Sequence, residues 1–231
     1  MNRVADVAIA GVGLVLTSPL IGLAALATKL EDRGPVLYRQ TRVGKDGVDI
    51  DVLKMRTMVV GAETMGAGYA LDQGDRRITR VGRVLRRTSI DELPQLWNIV
   101  RGDMSVIGPR PTLRYQVEQY DEYQRRRLDV RPGLTGWAQV HGRASLPWAE
   151  RIELDVWYVE NRSPKLDLEI LLRTPLALFR GTYRGARGGW RPGSGSQQQD
   201  VEPPTAHGDG SKPGVALDDS AGLLDELEEA E

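Results

Sequence analysis

The sequence has no cysteine and only two histidines, His141 and His207. Without cysteine there is no disulfide, zinc–thiolate centre or thiol nucleophile, and two histidines cannot build a multi-histidine metal site. Three signatures are also missing: the phosphate-cradling G-x-x-x-x-G-K-[ST], the dinucleotide-binding G-x-G-x-x-G and the hydrolase G-x-S-x-G. Any acid, base or nucleophile must therefore come mainly from Asp, Glu, Lys, Ser or Tyr.

Net charge is close to zero, but the balance is uneven along the chain. From residue 192 onward there is one base, Lys212, against ten acids, which leaves 30 bases and 22 acids in residues 1 to 191. This longer part carries about +8 and is suited to anionic partners: nucleotides, phospholipid surfaces or nucleic acid. A length of 231 permits one or two domains. The expected boundaries are an N-terminal membrane helix over 1–29, a membrane-associated catalytic domain over 30–190, and an acidic tail over 191–231. The tail is rich in Pro, Gly, Ser and Gln and is predicted to be disordered, with a short terminal helix and no assigned partner.

Residues 7 to 28 hold no charge over 22 positions, enough to cross a hydrocarbon layer of about 30 Å at about 1.5 Å per residue. A cleaved leader is disfavoured because Asp6 sits in the basic start and the run is long. Ser18-Pro19 lies at the midpoint, where proline removes a helix bond and can turn the chain back. Basic residues flank both ends, so charge does not choose between a spanning and a re-entrant helix.

Alternating Val48, Ile50 and Val52 predict two strands around Asp46-Gly47, within 36–54. Ile78, Val81, Val84 and Leu85 recur at helical spacing among arginines and predict a basic amphipathic helix able to rest on anionic lipid. Leu93, Leu96, Trp97 and Val100 stripe the next helix, with Pro94 in its first turn and Asp91 or a neighbour at its N-cap. A helix is expected from Pro111-Thr112 to about Arg127. The glycine-rich 130–143 is too broken to be one element, and two more helices follow near 147–160 and 165–183. The fold class is α+β and mainly helical, with a small hairpin and interface helices around one catalytic core.

A site for phosphate chemistry needs guanidinium forks, charge compensation and a nucleophile or base. Lys54, Arg56, Arg86, Arg87, the pair Asp91-Glu92 and Gly108-Pro109-Arg110-Pro111 supply these types. The segments GPVLYRQTRVG, LKMRTM, RRTSIDELPQLWNIVRGDMSVIGPRP and RPGLTGWAQVHGR, in this order, resemble the bacterial sugar transferases, the monotopic phosphoglycosyl transferases. The resemblance reaches about residue 183 and lacks the multi-spanning N-terminal region of longer members, which implies the small form or a catalytic part.

The resemblance implies transfer of sugar-1-phosphate from a UDP-sugar to polyprenol (undecaprenyl) phosphate, with release of UMP. This is the first membrane step of exopolysaccharide or glycoconjugate synthesis, on the cytoplasmic face of the bacterial inner membrane. It makes Asp91 the nucleophile and Glu92 the holder of Mg2+, with Arg86 and Arg110 on phosphate oxygens. Pro132, Gly133, Thr135, Gly136, Trp137 and Arg143 would form the nucleotide side. Ser18-Pro19 matches the family's helix break and favours the re-entrant form. An aspartate at a helix N-terminus among arginines is expected to have a lowered pKa. Nucleic acid is not an expected partner, because the arginine-rich helix lacks residues that read or stack on bases.

Overall fold

The computed structural model describes residues 1–65, 75–142 and 146–179. Arg143, the acidic tail and the end of the last expected helix lie outside these residues.

The apolar N-terminal run forms a 30-residue helix, α1 (Arg3–Asp32), started by the Asn2 side chain, which accepts from Ala5 N, and stopped by Arg33 in the left-handed region. Pro19 lies inside it. The hydroxyls of Thr17 and Ser18 bond back to the carbonyls of Gly13 and Val15 at 2.7 and 2.8 Å. The segment is assigned as one helix, helical on both sides of Pro19, whose ring removes the N–H that would donate to the Val15 carbonyl.

Both ends of α1 are fixed to one body. At the N-terminal end, Arg3 donates to the carbonyls of Ile99 and Val100. Buried Asp6 accepts from Ser105 Oγ and Val106 N, each at 2.8 Å. At the other end Asp32 pairs with Arg56, and the Glu31 carboxylate accepts from the backbone N–H of Arg80 and Val81 at 2.7 and 3.0 Å. That last contact caps a second helix with an anion, where the helix dipole favours one.

The hairpin forms as expected, β1 (Leu37–Val43) antiparallel to β2 (Asp49–Met55), in register from Leu37↔Met55 to Val43↔Asp49. Its turn is possible because Asp46 and Gly47 both take positive φ. The basic amphipathic stretch is α2 (Arg80–Thr88), which lies so close to Thr57 that a Cβ on Gly82 would meet the Thr57 carbonyl oxygen at 2.0 Å. There follow α3 (Gln95–Arg101), β3 (Ser105–Ile107), α4 (Arg114–Glu118), α5 (Glu122–Arg125), β4 (Gly133–Thr135), α6 (Trp137–His141), α7 (Trp148–Glu160) and α8 (Pro164–Phe179). β3 and β4 pair in parallel.

The single helix expected from Pro111 to Arg127 is instead α4 and α5. Asp121 restarts the chain by accepting from Gln124 N at 2.7 Å, while Tyr120 turns inward and is buried. The main core joins Ala10 of α1, Val52 of β2, Leu96 and Ile99 of α3, Met104, Tyr158 of α7 and Ile170 of α8.

Apolar residues on the outside are organised. Val12, Val15, Leu16 and Leu23 are exposed along α1, and Leu168, Leu172 and Leu176 along α8. Val84 is exposed among Arg80, Arg83 and Arg87 of α2. Among the described residues α1 is the one helix long and apolar enough to cross a membrane, by length and composition.

Candidate functional site

A cleft of about 720 Å³ opens between the end of β2, the α2–α3 junction, the loop after β3, and helices α6 and α7. Its acidic centre comes from an abrupt turn. Ser89 takes φ of 57° and closes α2 by donating its N–H to Arg86 O and Leu85 O. The chain then makes a single 3₁₀ turn, Ile90–Glu92, before Pro94 leads into α3. The sequence suggested Asp91 or a near neighbour as the N-cap of α3; that position falls on Pro94, three residues on. Asp91 and Glu92 instead line the cleft.

Cations surround the pair. Arg110 spans Glu92 with both terminal nitrogens, one at 3.4 Å and the other closer. Arg86 is held by its Nε on Thr57 Oγ1 at 2.7 Å. Lys54, from β2, is pushed down to about 8 by burial and then by the neighbouring Arg110, with Glu92 and Asp91 opposing the shift.

Asp91 is pushed up to about 6, first by burial and second by the Glu92 carboxylate; Lys54, Arg86 and Arg110 oppose this without overcoming it. The expectation of a lowered pKa is therefore corrected. It assumed a helix N-terminus and neighbouring arginines, whereas desolvation and a like charge dominate where the carboxyl sits. Asp91 is still mostly ionised at neutral pH.

Two expected phosphate ligands differ from the rest: one is engaged by protein groups and the other lies outside the cleft lining. Arg56 borders the cleft, but its guanidinium is committed to both oxygens of Asp32 and to the carbonyls of Pro35 and Met58. It clamps the end of α1 to the end of β2. Arg87 is exposed on α2 and does not line the cleft.

The expected nucleotide side is mostly framework. Gly133 N donates to Pro109 O at 2.8 Å and Gly108 N to Thr135 O at 2.9 Å. A Cβ on Gly133 would lie 2.1 Å from Gly108 N, and one on Gly136 2.2 Å from Gly108 O. These glycines let two backbones touch, which fixes the loop that presents Arg110. Thr135 bonds Thr174 through their hydroxyls at 2.8 Å, and Trp137 stacks on Trp157 with ring centroids 5.1 Å apart. Pro132 through Trp137 do not line the cleft; the next two residues, Ala138 and Gln139, do.

Sequence reasoning missed a buried network behind Arg110. Arg127 pairs with Asp155, bonds the Tyr120 hydroxyl and donates to Arg110 O at 3.0 Å. Asp155 is pushed up to about 6 by burial, against the pull of Arg127. One signal was available: Asp155 shares its helix face with Ile152 and Val156, both buried, so a charge stood on an apolar stripe. Arg151 and Gln139 in the same cleft were also missed.

No group of three or more His, Cys, Asp or Glu that could hold a metal ion occurs among the described residues. Glu92, the expected holder, is one carboxylate beside another, a donor set that suits a hard divalent cation completed by oxygens from outside the protein rather than a fully protein-built cage. The repulsion that raises Asp91 is what such a cation would relieve.

The chain matches the bacterial sugar transferase family over residues 1–181. It is 46% identical over 187 residues to the UDP-glucose:undecaprenyl-phosphate glucose-1-phosphate transferase of Caulobacter vibrioides, covering 77% of this chain and 69% of that protein. It is 41% identical over 198 residues to the exopolysaccharide production protein ExoY of Rhizobium meliloti, covering 79% and 88%. To the UDP-N-acetylgalactosamine-undecaprenyl-phosphate N-acetylgalactosaminephosphotransferase of Aeromonas hydrophila it is 44% identical over 188 residues, 78% of this chain but only 44% of that protein. With the matched region containing every described element of the cleft, the chain belongs to the bacterial sugar transferase family.

Proposed function

We propose that this chain transfers a sugar-1-phosphate from a UDP-sugar to polyprenol (undecaprenyl) phosphate, releasing UMP, through a covalent phosphosugar intermediate on Asp91. The observation that carries the reading is a carboxylate pair set in a cleft walled by Lys54, Arg86 and Arg110. The names of two relatives share the undecaprenyl phosphate acceptor and differ in the sugar, which supports the acceptor and leaves the sugar open.

An Asp91 oxygen attacks the sugar-proximal phosphorus, and the bond from that phosphorus to the bridging oxygen breaks, so UMP leaves with the electron pair. An oxygen of the lipid phosphate then attacks the same phosphorus. The Asp91–phosphorus bond breaks, giving a polyprenyl diphosphate sugar and restoring the carboxylate. Glu92, with substrate phosphates, would hold Mg2+, which when bound supplies charge neutralisation for the diphosphate. Arg110 exchanges Glu92 for phosphate oxygens as substrate enters, while Lys54 and Arg86 offer donors to the same anion. The direct test is UMP release from a panel of UDP-sugars with polyprenol phosphate. One UDP-sugar is expected to give UMP in step with lipid product, and no UMP from any of them would reject the reaction.

The reading also places the chain on one membrane face, the cytoplasmic one. Both termini of α1 are bonded to the same body, and its middle presents an apolar surface, which favours dipping into one leaflet over crossing to the far side. Because the sequence has no cysteine, single probes are clean. Val4→Cys and Leu30→Cys, both at exposed positions, are expected to react with an impermeant maleimide only after the cytoplasmic side is opened. Labelling of Val4→Cys from the outside of intact cells would establish a spanning helix instead.

A further inference from the structure

The α6–α7 wall of the cleft carries charge and polarity that the pair Asp91-Glu92 does not account for. Arg151 lines the cleft with its guanidinium 5.1 Å above the Trp148 ring. Among the described residues no carboxylate lies within ion-pair distance of it, and its Nε is buried with no hydrogen-bond partner. Burial first, and then the neighbouring cations Arg110 and Arg127, hold its pKa below the ordinary value, with the Asp155 carboxylate opposing them. Gln139 of α6 is also in the lining; it is 7% exposed, and neither its amide nitrogen nor its amide oxygen has a partner.

An uncompensated, half-buried guanidinium among like charges is destabilising, and so is an unpaired buried amide. Two such groups lining one cleft, on neighbouring helices, are accounted for by a ligand that satisfies both. The two cations nearest in influence already hold carboxylates: Arg127 holds Asp155, and Arg110 holds Glu92. A planar fork stacked on an indole is preorganised for two oxygens of a tetrahedral anion, and the Gln139 N–H can give a third bond.

We infer that Arg151, together with Gln139, forms a second phosphate-binding position in the cleft, separate from the group around Asp91 and Glu92. This rests on the transferase reading for its biological ligand, which is a phosphate either of the diphosphate donor or of the lipid acceptor. The site itself is testable without turnover.

Calorimetry on the full chain in detergent, with inorganic pyrophosphate and with a short isoprenyl monophosphate as probes, separates the two sources. The variants are Arg151→Gln, Arg151→Lys and Gln139→Leu, with Arg125→Gln, at an exposed position, as a control for overall charge. Arg151→Gln is expected to weaken one probe about tenfold, Arg151→Lys to restore part of the loss, and Gln139→Leu to weaken the same probe a few-fold. Melting temperature should not fall in Arg151→Gln, because no ion pair is lost and a cation crowded by Arg110 and Arg127 is removed. Loss confined to pyrophosphate assigns the position to the donor, and loss confined to the isoprenyl phosphate assigns it to the acceptor. Equal binding of both probes by wild type and Arg151→Gln, or an equal loss in Arg125→Gln, overturns the site. Absent UMP release by a wild type that still binds pyrophosphate through Arg151 would reject the reaction and leave the site standing.

Discussion

Asp91→Asn is expected to abolish sugar-phosphate transfer and to make the protein more stable. With UDP-sugar and Mg2+ but no lipid acceptor, the wild type should release about one UMP per active site and gain one sugar phosphate on the peptide that carries Asp91. The variant should show neither. Loss of a nucleophile costs roughly 10⁶-fold in the best-studied cases, so residual turnover should fall below detection. Burst and adduct identify the nucleophile independently of steady-state rate. A direct attack by the lipid phosphate would give normal turnover in the wild type with no adduct, which would remove Asp91 from that role and leave the overall reaction intact.

The stability gain follows from the direction of the Asp91 shift. Its pKa is raised to about 6 by burial and by Glu92, from an ordinary value of 3.8. Between those values the folded state holds a proton that the unfolded chain has released, so stability is lost as pH rises through this window. Above about pH 6 the loss is complete. At 1.36 kcal/mol per unit, discounted for partial exposure, it is on the order of 2 kcal/mol. Asn removes it. Asp91→Asn should melt several degrees above wild type at pH 7.5, with the gap narrowing toward pH 4.5. A variant less stable than wild type at every pH would contradict the assigned electrostatics. In the wild type, the burst rate should fall as pH drops below about 6, as the attacking carboxylate takes up a proton.

The parts of this molecule that were legible in the sequence are those decided by neighbours in the chain. Alternation around Asp46-Gly47 gives the hairpin, and helical spacing gives α2, α3, α7 and α8, because local periodicity and burial agree there. That Lys54, Arg86, Asp91, Glu92 and Arg110 belong to one cleft was legible as residue types in order. What each charge does was not. Arg56 looks like Arg86 on paper, and only the fold brings Asp32 against it, 24 residues away in sequence. The Asp91 expectation fails because its pKa depends first on enclosure by distant elements, which no local rule reports, and only second on the adjacent Glu92. The Gly133–Trp137 segment reads as a binding motif, yet its glycines serve close backbone packing against Gly108. The split into α4 and α5 depends on Tyr120 finding an interior beside Thr112 and Arg127.

The second large effect is expected at Arg127, which touches none of the reacting groups directly. Its side chain and that of Asp155 are each 3% exposed, so the ion pair is almost dry. Replacing buried pairs by apolar residues can be nearly neutral, but removing one partner strands the other charge and costs about 3–5 kcal/mol. Arg127→Met should therefore lower the melting temperature by on the order of 10 °C at pH 8. Asp155 is already pushed up to about 6 with Arg127 present, so without it the carboxyl should rise further and stay protonated to higher pH. A raised acid stabilises the fold below its unfolded pKa and loses that contribution as pH rises, so the defect should be larger at pH 8 than at pH 5.5. Adding Asp155→Leu to Arg127→Met removes the stranded charge and should recover much of the lost stability. Activity should not recover with it. The bond from Arg127 to the Arg110 carbonyl, at 3.0 Å, holds the loop that aims Arg110 at Glu92 and the cleft. The double variant is expected to fold normally and keep a raised KM for the UDP-sugar. A double variant with wild-type KM would show that the network only stabilises the fold, and that the glycine-packed β3–β4 backbone is sufficient to place Arg110.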